Sequence, residues 1–329
     1  MPSSNEGAAT MISTRTDGID RALIDYYAAA SRAFAPVPRT AGAAAVRARF
    51  ERVAAAFSVP LSAGVRRERI RIPLERRTLS ANLYRPAAGA RNLPLLVYFH
   101  GGGWVVGDAS THEAIASNLA LDARCGVASV EYRLAPEHPF PAPVDDAVDA
   151  LGWLARHASR LGFAARRIGV GGDSAGGHLA MGAARMAAER DRLAVRAQLL
   201  LYPVARALAF GGSARMHAHS PGLSADEMRW YWAQFLSAHA PACDDVRAFP
   251  LARAPLDRPC RTIIVAARVD PLYDDAWAIA RFIGNARGRV ELIDAVDMTH
   301  GFARLQAHSK SAREWMRHAG RRLGEALRE

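Results

Sequence analysis

Cysteine is scarce. Only Cys125, Cys243 and Cys260 occur in 329 residues. They are odd in number and far apart, which excludes a disulfide framework and any C-x-x-C metal site. Three reduced, buried thiols in a reducing compartment are expected. Lysine is nearly missing: of 43 basic residues, Lys310 alone is a lysine and the rest are arginines. The net charge of +11 is therefore carried by arginines scattered along the chain. The densest groups, Arg66, Arg67, Arg69 and Arg71, and Arg321 with Arg322, alternate with core-type residues and read as solvated faces. Without a recognisable module, a nucleic-acid partner is not expected. No run of about 18 apolar residues exists, so no membrane span is expected. The first residues, "MPSSNEGAAT", lack a basic start followed by an apolar run. No signal peptide is visible, and a cytoplasmic protein is expected. Residues 1–17 are small and polar and read as disordered, with Met11 offering a second start.

What is abundant is hydrophobic sequence, half of all residues, which is enough for a sizeable core. Residues 18–34 and 40–57 read as two amphipathic helices separated by Pro36 and Pro38. Residues 66–75 and 78–86 read as a hairpin. Apolar runs follow at 93–100, 126–133, 166–173, 197–204, 261–267 and 289–295, as strands buried on both faces require. Helical stretches lie between them, including 144–161, 175–190, 275–286 and 309–327. The alternation predicts an α/β fold with a mostly parallel, doubly wound sheet of eight strands. Residues 205–250 are too long for a simple crossover and contain "DEMRWYWAQFL" at 226–236. With 18–57 they are expected to form a helical cap over a catalytic domain spanning 58–329.

The chemistry begins at "GGDSAGGHL", residues 171–179. Here a G-x-S-x-G pattern stands between the fifth strand and a helix, the context that a nucleophile elbow needs. A serine hydroxyl must pass its proton to a base oriented by a carboxylate. His300 in "DMTHGF" follows the eighth strand and Asp270 in "RVDPLYDD" follows the seventh. The order Ser174, Asp270, His300 is that of the α/β-hydrolase triads. Asp274 and Asp275 read instead as the start of a helix, and Asp294 and Asp297 lie within or beside the eighth strand. "FHGGGW", residues 99–104, follows the third strand and offers bare N–H groups to a developing oxyanion. The Ala175 N–H completes that set, with Gly102 and Gly103. No lysine–serine or lysine–threonine pair follows these glycines, as a phosphate loop would need. No metal-ligand cluster and no cofactor motif is present.

Together "HGGGW", "YRLAPEHPFPAPVDDA", "GDSAGG", "LLLYPV", "DPLYDD" and "HGF" resemble the bacterial hormone-sensitive-lipase-like esterases (family IV). The resemblance spans residues 66–325. It implies an α/β-hydrolase fold with a helical cap, a nucleophile at Ser174, a base at His300 and an orienting acid at Asp270. It also implies an oxyanion hole at Gly102, Gly103 and Ala175, and a preference for short acyl esters. Trp104, Tyr202, Leu223, Trp230 and Trp232 are expected to line the acyl pocket. Glu137, in "YRLAPE", is read as a brace. Departures from the family pattern are Arg268 and Val269 before the acid and Ala276-Trp277 after it. An amidase or deacetylase using the same triad, or a non-catalytic receptor on the scaffold, are the alternative readings. The partners expected are a small acyl ester and, at most, a second copy of the chain in a homodimer.

Overall fold

A computed structural model describes residues 18–87, 92–206, 212–237, 241–242 and 244–329. The expected disordered start, with Met11, and the thiol of Cys243 lie outside the described residues. Eight strands form one sheet. They are β1 (Val65–Pro73), β2 (Thr78–Pro86), β3 (Leu93–Phe99), β4 (Gly126–Glu131), β5 (Phe163–Asp173), β6 (Ala197–Leu201), β7 (Arg261–Val269) and β8 (Val290–Thr299). Their spatial order is β1-β2-β4-β3-β5-β6-β7-β8, antiparallel from β1 to β4 and parallel from β4 onward.

Every residue of β6, and nearly every residue of β3 and β4, is buried. Such strands need apolar side chains on both faces, which explains runs without alternation. Successive residues still point to opposite faces. Leu95, Val97 and Phe99 join one core with α4 (Ala142–His157), α5 (Ala175–Asp191) and α8 (Tyr273–Asn285). Leu96 and Tyr98 join the other, with α1 (Arg21–Ala33), α3 (Glu113–Asp122) and α9 (Lys310–Arg328).

Strand order reverses at β3, which lies between β4 and β5. Connections leave the two sides of such a point on opposite faces, and a crevice opens beyond the strand ends. The glycine run after β3 and Ser174 after β5 both stand there. Among the described residues three further α-helices follow: α2 (Gly42–Ala56), α6 (Gly212–Met216) and α7 (Ala225–Leu236). A Ser224–Glu227 capping box starts α7. Ala43 and Val46 of α2 pack with Val105, Val106 and Ala135, and Phe50, Trp230 and Tyr231 close on that cluster.

Some boundaries differ from the sequence expectation. The α3 helix was not anticipated, because "EAIASNLALD" is buried on most sides and lacks a polar stripe. The fifth strand starts at Phe163 rather than 166. The sixth stops at Leu201, where Tyr202 turns to φ 35° and Pro203 offers no N–H to the ladder. The eighth runs on to Thr299, which carries it to His300. Burial pushes the thiols of Cys125 and Cys260 up to about 12, so both stay protonated and inert. No described helix is long and apolar enough to cross a membrane.

Candidate active site

The elbow is built by close backbone approach. β5 ends at Asp173, and α5 begins at Ala175. Ser174 between them sits at φ 55°, ψ −119°. A non-glycine residue held there costs about 1–3 kcal/mol and persists only where its neighbours over-determine it. They do: the Ser174 N–H donates to the Leu201 carbonyl at 2.9 Å, and the Val204 N–H donates to the Ser174 carbonyl at 3.3 Å. A Cβ on Gly176 would collide with the Phe99 carbonyl, and one on Gly172 with the Gly176 backbone. The glycines let the turn lie against β3.

His300 leaves the end of β8 and is followed by Gly301 at φ 77°. The Tyr27 hydroxyl from α1 donates to the His300 carbonyl at 3.2 Å and lies 3.1 Å from the Thr299 hydroxyl. The first helix therefore pins the turn that carries this histidine. His300 Nδ1 stands 2.7 Å from Asp270 Oδ2, and Nε2 stands 2.8 Å from Ser174 Oγ. Asp270 is wholly buried, and its Oδ1 accepts the Leu272 N–H at 2.8 Å. A carboxylate so placed holds the proton on Nδ1 and leaves the Nε2 lone pair facing the hydroxyl.

The other carboxylates near this end of the sheet have different work. Asp275 accepts the Ala205 N–H at 2.9 Å and the Arg206 guanidinium at 2.8 Å. Asp274 accepts the Ser213 N–H at 3.0 Å. Asp294 pairs with Arg268, and Asp297 accepts the Trp315 indole N–H at 2.8 Å.

Gly102 and Gly103 have φ of 115° and 59°. The Val105 and Val106 N–H groups both donate to the Gly102 carbonyl, at 3.0 and 2.9 Å, and curl the loop. Among the described residues no acceptor takes the N–H of Gly102, Gly103 or Ala175. The loop is tied to the elbow by Asp173, whose role the sequence reading missed. Its carboxylate accepts the Gly101 N–H at 2.9 Å and the Tyr98 hydroxyl at 2.7 Å, and His112 Nε2 lies 3.6 Å away. Burial alone would raise this carboxyl, but His112 and the Tyr98 hydroxyl outweigh it and hold it at about 2. Its position next to Ser174 was the signal the sequence offered.

A cavity of about 70 Å³ opens at this point. Its walls include Ser174, His300, Gly102 and Gly103, with Phe50 from α2, Leu223 before α7, Met228 and Tyr231 on α7, and Arg304. Of the five residues expected in the acyl pocket, only Leu223 borders it. Trp104 and Trp232 face inward, 4.7 Å apart between ring centroids, and pack on Phe235. Tyr202 is buried beneath the His300 ring. Trp230 stands beside the cavity wall, under the Arg39 guanidinium. A residue in a helix reads the same whether its face turns to core or to cavity; Phe50, Met228 and Tyr231 were missed for that reason, and Arg304, one of many scattered arginines, carried no local signal.

The brace reading of "YRLAPE" gains detail. Glu137 accepts two bonds from Arg47 of α2, at 3.0 and 2.9 Å, while Arg133 and Arg77 both bond Asp146 on α4. The departures near the acid leave the cavity alone: Arg268 is drawn to Asp294, and Trp277 is 39% exposed. Among the described residues no group of three or more His, Cys, Asp or Glu could hold a metal.

Comparison with known proteins agrees with this architecture. A family profile for the alpha/beta hydrolase fold matches residues 96–304. An ethyl acetate hydrolase of Pseudomonas putida is 37% identical over 244 residues, covering 72% of this chain and 75% of the relative. A carboxylesterase of Mycobacterium tuberculosis is 37% identical over 230 residues, covering 68% of this chain and 71% of the relative. A thermostable esterase of Pseudomonas putida superposes with a TM-score of 0.88 at 27% identity, covering 94% of this chain and 98% of that one. With the strand order, the elbow and more than half the chain matched, this protein belongs to the hormone-sensitive-lipase-like branch of the alpha/beta hydrolase family.

Proposed function

We propose that the chain is a serine carboxylesterase for short-chain acyl esters, acting through Ser174, His300 and Asp270 and an acyl-enzyme. The coarser statement, that it is a carboxylic ester hydrolase, follows from its relatives. The observation that carries the finer one is the unbroken line from Asp270 through His300 to Ser174, at 2.7 and 2.8 Å.

Ser174 Oγ attacks the ester carbonyl carbon while His300 Nε2 takes its proton. The carbonyl oxygen becomes an oxyanion in reach of the Gly102, Gly103 and Ala175 N–H groups. Each such donor is worth about 2.7–4 kcal/mol in the transition state. The C–O bond to the alcohol breaks, and the leaving alkoxide takes the proton from His300. Water then attacks the acyl-enzyme, His300 accepts its proton, and Ser174 leaves reprotonated with release of the carboxylic acid. Asp270 stays ionised and stabilises the imidazolium.

Short acyl groups are favoured by the wall. Residues 18–57 and the insertion at about 205–250 serve as the cap, since Phe50, Leu223, Met228 and Tyr231 close the cavity. A methylene that fits gains about 0.8 kcal/mol. One that does not fit costs about 1–3 kcal/mol. A relative named for ethyl acetate supports the same range. The test is an aryl ester series read as kcat/KM, with an alkyl phosphonate probe followed by peptide mass mapping. Activity is expected to rise from acetyl to butyryl or hexanoyl and then fall, with the probe on Ser174. Labelling elsewhere, or turnover that survives Ser174→Ala, would sink the assignment.

A further inference from the structure

We infer that Arg304 recognises substrate, and that the ester this site is built for carries a free carboxylate a few bonds from its scissile carbonyl. This rests on the esterase reading of the same site and names the class of ester.

Arg304 sits in the short 3-10 turn Phe302–Leu305 that follows the catalytic histidine, and its N–H donates to the Gly301 carbonyl at 3.2 Å. The guanidinium lies over the Phe50 ring at 4.6 Å from its centroid. It borders the cavity that holds Ser174 and His300, and also a neighbouring cavity of about 480 Å³ under α2. It is half-buried, and among the described residues no carboxylate reaches it. By contrast, Arg39 and Arg47 of the N-terminal cap pair with carboxylates, Glu227 and Glu137.

The acids nearest to Arg304 do not supply the missing partner. Asp173 is committed to Tyr98 and Gly101, with His112 beside it. Asp108 on the wall of the neighbouring cavity uses Oδ1 to accept the Ser110 and Thr111 N–H groups, at 2.8 and 2.6 Å. Glu51 on the same wall is exposed to solvent, and Glu113 there is taken by Arg67 and the Tyr84 hydroxyl. A partly buried cation pays desolvation that only a partner recovers. A guanidinium placed over an aromatic ring still has N–H donors to offer, and its planar fork matches a carboxylate in two parallel hydrogen bonds. A carboxylate on the bound ester supplies the counter-charge that the described residues do not, and it orients the carbonyl toward Ser174. The net charge of +11 draws such anions in from solution.

The test compares each anionic ester with its neutral isostere in kcat/KM. On the acyl side, mono-para-nitrophenyl glutarate is set against para-nitrophenyl hexanoate. On the alcohol side, O-acetyl-lactate is set against O-acetyl-lactamide. The expected result is at least a tenfold preference for the anion in one arm, which also tells which side carries the carboxylate. In Arg304→Gln that ratio should fall at least tenfold, mainly through KM, with Arg304→Lys between the two. No preference in either arm of the wild type overturns the inference, as does an Arg304→Gln protein that loses both substrates equally. If Arg304→Gln fails to fold, the wild-type ratio and Arg304→Lys still decide. Failure of the esterase reading looks different: then no ester, neutral or anionic, is hydrolysed and Ser174 takes no phosphonate.

Discussion

Two histidine–aspartate pairs flank Ser174. In one, the His300 ring is 2.7 Å from Asp270 and presents its second nitrogen to the serine at 2.8 Å. In the other, His112 Nε2 stands 3.6 Å from Asp173, and its Nδ1 lies 3.0 Å from the Thr111 hydroxyl, away from the serine. The residue types are the same and both sets are buried. The difference is what the second ring nitrogen and the second carboxylate oxygen can reach. Asp270 spends one oxygen on the ring and one on its own loop, so the pair is a relay with a free end. Asp173 gathers donors from β3, the glycine loop and the turn before α3, so the pair is a clamp. The relay is proposed to move a proton; the clamp keeps the oxyanion loop against the elbow.

The sharpest break of this comparison is removal of the end of the relay. Ser174→Ala should lower kcat by roughly 10⁶, and His300→Ala by a similar factor, because such residues act as a unit. Circular dichroism and thermal melts should be close to wild type for both. The middle of the relay comes next. Asp270→Asn should cost roughly 10⁴ in kcat through the wrong imidazole tautomer.

Asp173→Asn is the control that separates clamp from relay. It should destabilise the fold by about 2–4 kcal/mol, since a buried charge loses strong hydrogen bonds. Its kcat should fall only about 10–100-fold, the loss expected from a loosened oxyanion loop. Denaturant melts and steady-state kinetics on both variants decide. An Asp173→Asn protein as inactive as Asp270→Asn, with an unchanged Tm, would put Asp173 in the relay.

The smallest effect concerns two histidines without a carboxylate partner. Burial lowers His100 to about 4, with His112 adding to the effect, and burial lowers His178 to about 4. Unfolded histidine titrates near 6.5. Between those values the unfolded chain binds more protons than the folded one. Stability from these groups is therefore full above about pH 6.5 and is lost as pH falls toward 4. Each contributes on the order of 1–3 kcal/mol over that window. Asp173, held at about 2 in the folded chain, stays charged throughout the window, but its unfolded carboxylate begins to bind protons below about pH 5, so it steepens the fall at the acid end. A series of melts from neutral to acid pH should show Tm falling over this window, and His178→Gln should flatten the fall. An unchanged slope in that variant would remove His178 from the account.

Much of this was legible in the chain. G-x-S-x-G after an apolar run, an aspartate ending the seventh strand and a histidine ending the eighth are local signals, and their order has few alternatives. The wall of the cavity was not legible. Trp104 and Trp232 looked like pocket residues and turned out to pack on Phe235, whereas Phe50 and Tyr231 drew no notice and face the site. Asp173 reads as an ordinary neighbour of the nucleophile until Tyr98, Gly101 and His112 are seen to converge on it.

What the sequence by itself determined is what short-range physics controls. Glycine placement decides where backbone can approach backbone, as at Gly172 and Gly176. Apolar runs decide which strands are interior. Chain order decides that Ser174, Asp270 and His300 end at one edge of the sheet. Only the tertiary structure decided distances between side chains and which face of α2 and α7 turns inward. The gap from Ser174 to His300 spans 126 residues. It depends on the register of the four parallel strands β5 to β8 and on Tyr27 pinning the histidine turn. Among the described residues, the lack of a carboxylate beside Arg304 is likewise a sum over everything packed around it, and no local pattern encodes it.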